Sequence, residues 1–419
     1  MLKRLPARVA AGVLDQGVSS VTNVLLSISV ARVAPAELYG RFAIAIAAIV
    51  AVLTVARQSA GAYLLSLAGA SSVDRVRAAG PTLAAQGVMA LLAAVGPALL
   101  AIVADQPGER SIMIALTLTA PVVLMQDGLR YVASSAAVPG VALLGDTLWL
   151  AVFVGGWLLV GTTADSSPLL VSWWGAGALL GYLVLLVSLR QVPRIRNGGI
   201  WWRENRATMT RLFGDGLLSA ITPLGVVAII AVALPVAQSA GFLGAATLFG
   251  PVNVLLVLFT FVLSAELERV RDRPRAVRVF AIVALLTAVA VMLFTAVLAV
   301  MPDRWGRTLL GETWSLASPL LGYRGAEAAA LGVLTIIYAY WRWRRLYSLQ
   351  LWSRLLLAMT TLVGVGVASL SMRTALGVAV AAAVAAFLVL GFSGTLIRVR
   401  PADATDRTRL PFPMTTDGP

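Results

Sequence analysis

Residues 14–23 read LDQGVSSVTN, and the spacing of their polar side chains decides how the chain is read. The stretch opens the first long apolar segment and sets a carboxylate, Asp15, inside it. Asp15, Ser19, Thr22 and Ser29 recur at helical pitch and share one face of a helix. Gln16, Ser20, Asn23 and Ser27 form a second stripe about 100° further round. Val18, Val21, Leu25 and Ile28 make the opposite face. A spanning helix with one polar side is expected to line a polar cavity rather than to face lipid all round.

The same signal returns 200 residues later, where 214–223 read GDGLLSAITP. Asp215, Ser219 and Thr222 answer Asp15, Ser19 and Thr22, and Pro235 and Phe242 answer Pro35 and Phe42 at that one offset. These matches predict an internal repeat, two halves of one helical bundle.

The composition agrees with a membrane setting. Of 419 residues, 59% are hydrophobic and only 12% charged, against roughly 25% charged in soluble chains; the mean hydropathy is +0.89. With no Cys and no His, the chain has no disulfide framework, no thiol chemistry and no His-containing metal site. No cofactor or metal is expected, and any proton coupling would fall to carboxylates. The N-terminal MLKRLPAR leads straight into the polar-faced segment without a small-residue cleavage site, so it is expected to stay as the first helix.

Twelve segments are long enough to span, near 10–33, 42–66, 80–104, 111–136, 141–162, 169–189, 213–235, 240–264, 279–301, 322–340, 351–370 and 375–397. The least marked are 141–162 and 322–340. With the N-terminus inside, the inner segments gather Lys3, Arg4, Arg8, Arg75, Arg77, the arginines of 190–211 and of 269–278, Arg342, Arg344, Arg345, Arg354 and those of the tail. The outer segments hold only Arg32, Arg41, Arg110, Arg304, Arg307, Arg324 and Arg373. That asymmetry places both termini in the cytoplasm. The expected organisation is an all-α integral membrane protein of about twelve spans in two six-helix lobes, 1–189 and 212–397, related as a parallel repeat. Residues 190–211, basic and carrying two Trp, read as a cytoplasmic linker at the interface with anionic headgroups. Residues 398–419 read as a disordered tail. The net charge of +14 is dispersed over many short loops, which fits anchoring at a membrane surface and not nucleic-acid binding.

Charged side chains within spans cost several kcal/mol each and ask for a reason. Arg57 lies midway along the second span and offers a fixed positive charge with a fork of donors for an anion, or a partner for Asp15 or another helix's carboxylate. Asp127 and Arg130 stand three residues apart in the fourth span and can pair with each other. Asp146, about one turn into the fifth, can snorkel. Asp215 stands at the start of the seventh, where capping and the helix dipole alone would favour a carboxylate. Pro81, Pro97, Pro121, Pro223 and Pro251 can kink their spans.

The run LDQGVSSVTNVLLSISVAR followed by PAELYGRFAIA, together with FGPVNVL (249–255) and LLGETW (309–314), resembles polysaccharide flippases of the multidrug/oligosaccharidyl-lipid/polysaccharide exporter superfamily. Asp15, Gln16, Ser20, Asn23 and Gly40-Arg41-Phe42 carry the likeness. It implies two six-helix lobes around a central cavity, alternating access, and a cargo of lipid-linked oligosaccharide, lipid-linked cell-wall precursor or drug. In the lipid-flipping branches, cavity arginines hold the substrate's pyrophosphate, and Arg57 is the matching candidate. The chain departs from the pattern Arg-x-x-x-Gly-Glu-Pro-Leu-Leu: it keeps Arg57, Gly61, Leu64 and Leu65 but has Ala62 and Tyr63.

The expected function is flipping of a polyprenyl-linked oligosaccharide or similar anionic glycolipid across a bacterial cytoplasmic membrane. The cavity candidates are Arg57, Gln16, Asn23 and Arg130, with Asp15 or Asp127 as sites of coupling to protons or sodium. Partners would be the lipid-linked anionic glycan and membrane lipids. One alternative is a cation-coupled drug antiporter of the same superfamily; another is a non-transporting membrane scaffold. A lipid-sugar glycosyltransferase would want acidic residues in its first outer loop, and 34–41 offers only Glu37. No phosphate-binding GxxxxGK loop is present, so a non-enzymatic carrier without direct ATP drive is the reading.

Overall fold

The computed structural model describes residues 5–66, 72–136, 138–160, 166–194, 196, 198–252, 256, 273–344 and 346–399, and every regular element among them is helical. The first half holds α1 (Leu5–Val33), α2 (Ala36–Ala56, continued by a π turn, Arg57–Gly61, and Ala62–Ser66), α3 (Ser72–Ile102), α4 (Pro107–Ser135), α5 (Pro139–Val160) and α6 (Ser167–Leu189). The second holds α7 (Gly198–Ala233), α8 (Val236–Leu248), α9 (Arg273–Ala299), the short α10 (Asp303–Leu310), α11 (Leu321–Trp343), α12 (Tyr347–Ser371) and α13 (Ala375–Val399).

Among the described residues, eleven helices are long and apolar enough to cross a membrane, against the twelve segments expected. The expected eighth, 240–264, begins in the shorter apolar helix Val236–Val252 and lies for the rest largely outside the described residues. The least marked segments are both helical: 141–162 falls in α5, and 322–340 falls in α11 at the end of an apolar stretch running from Asp303 to Trp341. The expected tail lies, beyond Val399, outside the described residues.

The fixed offset of 200 is visible in the helix breaks. α1 stops at Val33 and α7 at Ala233, and Pro35 and Pro235 then open α2 and α8 with nearly the same backbone, φ −55° with ψ 151° and 143°. Proline has no N–H to donate and its fixed φ suits a helix start, so it ends one helix and begins the next. Phe42 and Phe242, seven residues on, are both buried.

Close approach takes the place of a hydrophobic drive between helices in lipid. On α5 and α6, a Cβ at Gly181 would lie 2.8 Å from the carbonyl oxygen of Gly145, and one at Gly177 would lie 2.6 Å from that of Trp149. The halves of the sequence meet where α1 and α2 face α7 and α8. Gly216 on α7 packs on Val55 and Gln58. Gly40 packs on Val236 and Gly250 on Val24, and the hydroxyls of Tyr39 and Thr247 are 3.2 Å apart.

Of the segment 190–211, expected as an interfacial linker, the second part is helical. Arg190 closes α6 in the left-handed region (φ 52°), and from Gly198 onward the chain is already helical, continuous with α7. One side of this extension is covered by the protein itself: Trp201 and Met209 pack with Tyr63 and Ala78. The Tyr63 and Trp201 rings meet edge to face at 5.2 Å, and the Tyr63 hydroxyl donates to Asn205 Oδ1 at 2.8 Å. Only Trp202 of the two tryptophans stays exposed. Asp215 consequently lies deep inside α7 and caps nothing.

Candidate functional site

The first polar stripe of α1 does not line an open cavity. Asp15, Ser19, Thr22 and Ser29 are all buried, at 3% exposure or less, because α1 lays this face on α5 and α6 of its own half. The second stripe, Gln16, Ser20, Asn23 and Ser27, is the half-buried one. Asn23 is engaged there: its Nδ2 donates to the carbonyl of Ser19 at 2.9 Å and its Oδ1 accepts from Trp174 Nε1 at 3.2 Å.

Arg130 is the hub beneath that stripe. Its guanidinium is fully enclosed, with Nη2 2.8 Å from Asp15 Oδ2 on α1, Nη1 3.1 Å from Asp127 Oδ1 on its own helix, and Nε 3.0 Å from Asp146 Oδ2 on α5. Nη1 also donates to Ser19 Oγ at 3.0 Å. The partner sequence reasoning assigned, Asp127, is thus one of three. Asp146 does not snorkel. It is completely buried and accepts from Gln126 Nε2 at 2.6 Å, since the guanidinium offers a counter-charge that water would otherwise supply. Among the described residues, no donor is aligned on Asp15 Oδ1, and the Arg130 Nε contact to Asp146 Oδ2 is close but not aligned as a hydrogen bond.

Arg57 joins the network from α2. The π turn that begins with it widens the helix by one residue, and Gly61, which ends the turn, lies against the ring of Tyr131 so closely that a Cβ would be 2.8 Å from it. Nε reaches Asp127 at 3.0 and 3.2 Å, and Nη2 reaches Oδ1 at 2.7 Å. Arg57 therefore pairs with Asp127 and not with Asp15. Its side chain is 32% exposed, the most accessible of the five groups, while Asp127 is 4% exposed. Among the described residues, no hydrogen bond involves Arg57 Nη1. Three carboxylates and two guanidiniums leave the network one formal charge negative.

A second charged cluster lies in the other half, where sequence reasoning counted Arg354, at the start of the expected span 351–370, with the inner segments. Arg354 is inside α12, and its Nε is 2.9 Å from Asp215 Oδ1 on α7. It also contacts Ser219 Oγ and sits over the Tyr338 ring, 4.9 Å from its centre. Gln350, one turn earlier, donates to the same Asp215 oxygen at 3.0 Å. The Gln350 and Arg354 spacing of four residues was the available signal. Among the described residues, no group of three or more acidic, His or Cys side chains is arranged to hold a metal ion.

No family model and no curated protein matches this sequence. Solved structures do match in fold. A multidrug resistance MATE family transporter of the MOP superfamily, in an inward-facing conformation, superposes with a TM-score of 0.66 at 10% identity, covering 91% of this chain and 94% of its own. The lipid II flippase MurJ, in an inward closed conformation, gives 0.67 at 10% identity, with 91% and 86% covered. A MOP superfamily transporter from Pyrococcus furiosus, described by the reverse polarity of its binding pocket, gives 0.55 at an identity that is likewise far below a quarter, with 94% and 95% covered. The chain has the fold of the MOP superfamily transporters.

Proposed function

We propose that this chain is a membrane transporter working by alternating access, and that it flips a polyprenyl-linked oligosaccharide or similar anionic glycolipid across a bacterial cytoplasmic membrane with both termini inside. The transport reading rests on the fold, shared with drug exporters and with a lipid flippase. The observation that carries the anionic cargo is Arg57, a guanidinium on α2 that is a third exposed and has one nitrogen left over after pairing with Asp127. A guanidinium in that state offers a fixed charge and a directed donor to a phosphate oxygen. In this reading the half-buried Gln16 stripe of α1 offers further polar groups to the cargo, and the lipid tail stays in the bilayer.

The test is depletion of the protein followed by analysis of the lipid-linked glycans on the inner leaflet. Build-up of one polyprenyl-linked glycan, reversed by the native chain and not by an equally abundant Arg57→Ala variant, is the expected result. A fully transport-competent Arg57→Ala variant refutes the role given to Arg57.

A second reading, a cation-coupled drug antiporter, is favoured by one observation: the excess carboxylate in the Arg130 network. One proton or monovalent cation at Asp15 and Asp146, where an oxygen of each lacks an aligned donor, would balance the charge. Depletion without glycan build-up but with altered sensitivity to cationic drugs selects this reading.

A further inference from the structure

Arg57 is both the most accessible cation of the network and one already held, through two of its nitrogens, by Asp127. An anion arriving at Arg57 meets a competitor built into the protein. Asp127 is enclosed and cannot turn to water once Arg57 is drawn away. It would keep Arg130, 3.1 Å off, but Arg130 is already shared with Asp15 and Asp146. Losing Arg57 to a ligand leaves three carboxylates on one guanidinium, a charge of −2 inside a span, which is costly.

We propose that Asp127 is the specificity-determining counter-ion of Arg57: an anionic headgroup binds by displacing this carboxylate from the guanidinium, and Asp127 takes up a proton from solvent as it is displaced. This rests on the anionic-cargo reading above and adds the link between cargo and proton. The groups facing Asp127 fit it. Arg57 comes from α2, Arg130 and Tyr131 from its own helix, and Asp15 and Asp146 act from α1 and α5 through Arg130. The remaining neighbours of α4 bring polar but uncharged groups: α3 brings Gln86, which donates to Leu124 O at 2.9 Å, and α6 brings Tyr182. Among the described residues, no cation other than Arg57 and Arg130 is paired with Asp127. The π turn is a suitable hinge for the exchange, because Arg57 is its first residue and its register is not locked into the α-helical ladder. The device also discriminates by charge. A neutral or cationic molecule gains nothing from Arg57 and leaves it closed on Asp127, whereas a diphosphate outcompetes one carboxylate by its charge and its bidentate geometry.

The consequence is a gain of binding on removing an acid. Asp127→Asn keeps the shape, keeps an acceptor for both arginines and makes the network neutral, with two carboxylates and two guanidiniums. The purified full chain in nanodiscs is titrated with farnesyl diphosphate, and with inorganic pyrophosphate as the tail-free control, by calorimetry at several pH values and in buffers of different ionisation enthalpy. The expected result is about tenfold or more tighter farnesyl diphosphate binding to Asp127→Asn than to the native chain, the size of one charge-assisted hydrogen-bonded contact. Proton uptake on binding is expected in the native chain and is reduced in the variant, whose pH profile then carries only the ligand's own titration. Weaker or unchanged binding to Asp127→Asn overturns the proposal. So does native binding without proton uptake, a readout that needs no variant. If the native chain binds neither probe, or Arg57→Ala binds as the native chain does, the anionic-cargo reading itself has failed. If Arg57→Ala loses binding while Asp127→Asn does not gain it, only the exchange has failed.

Discussion

Replacing Arg130 with Met removes the one cation that four side chains share and keeps most of its volume. At an effective dielectric constant of about 20, each charge contact of 2.8–3.1 Å is worth about 5–6 kcal/mol of attraction. Most of that is offset by the several kcal/mol needed to strip water from each ion. The intact cluster is therefore close to neutral in its net effect on stability, whereas its removal is not. Asp127 would retain Arg57, but Asp15 would be left without a cation and Asp146 with only the Gln126 amide. Breaking a buried pair in this way costs roughly 3–5 kcal/mol. Unfolding of the detergent-solubilised chain, followed by tryptophan fluorescence, should show Arg130→Met destabilised by about that amount or failing to accumulate. The variant Asp15→Asn/Asp146→Asn/Arg130→Met, which has no unmatched charge at the hub, should recover most of the loss. An Arg130→Met protein within about 1 kcal/mol of native refutes the hub, and a triple variant as unstable as the single one shows that packing, not charge, is what Arg130 supplies.

Two further outcomes follow from contacts elsewhere. A double-mutant cycle of Asp215→Asn and Arg354→Met should give a coupling of roughly 1–3 kcal/mol, less than at Arg130 because both partners are partly exposed; independent effects would remove the second cluster as a bonded unit. Gly181→Val should destabilise by several kcal/mol in the same unfolding assay, since its side chain would meet the backbone carbonyl of Gly145, while Gly155→Val, with open space around it, should change little.

Much of the architecture is legible in the chain because lipid imposes a simple code. Apolar length marks spans, and the offset of 200 predicted the matched breaks at Pro35 and Pro235. The site was legible only in part. Helical periodicity correctly put Asp15, Ser19, Thr22 and Ser29 on one face, but periodicity does not say what a face meets. That face packs on α5 and α6, and the neighbouring Gln16 stripe is the half-buried one. Arg57, Asp127 and Arg130 stood out as charges in apolar runs, yet their pairing depends on which helices touch. Asp146 was discounted because it lies near a span end in sequence, and only the position of Arg130 shows why it stays buried. Arg354, at the start of the expected span 351–370, was counted with the inner arginines of 342–345, and nothing in the sequence says that it faces Asp215.

The two clusters show what the repeat keeps and what it lets go. Asp15 with Ser19, and Asp215 with Ser219, form the same hook, a carboxylate and a hydroxyl one helical turn apart, and each grips an arginine. The arginines are not related by the repeat. Arg130 comes from the fourth helix of its half, whereas Arg354 comes from α12, well past the position the offset would assign. The hook on the helix face is thus common to both halves, and the guanidinium that meets it is not. The charge balance then separates the halves. Asp215 and Arg354 are matched one to one, while the Arg130 network of the first half has one carboxylate in excess and an Arg57 side chain a third exposed. On electrostatic grounds, the unbalanced charge and the accessible guanidinium lie in the first half, and the second half holds a matched ion pair.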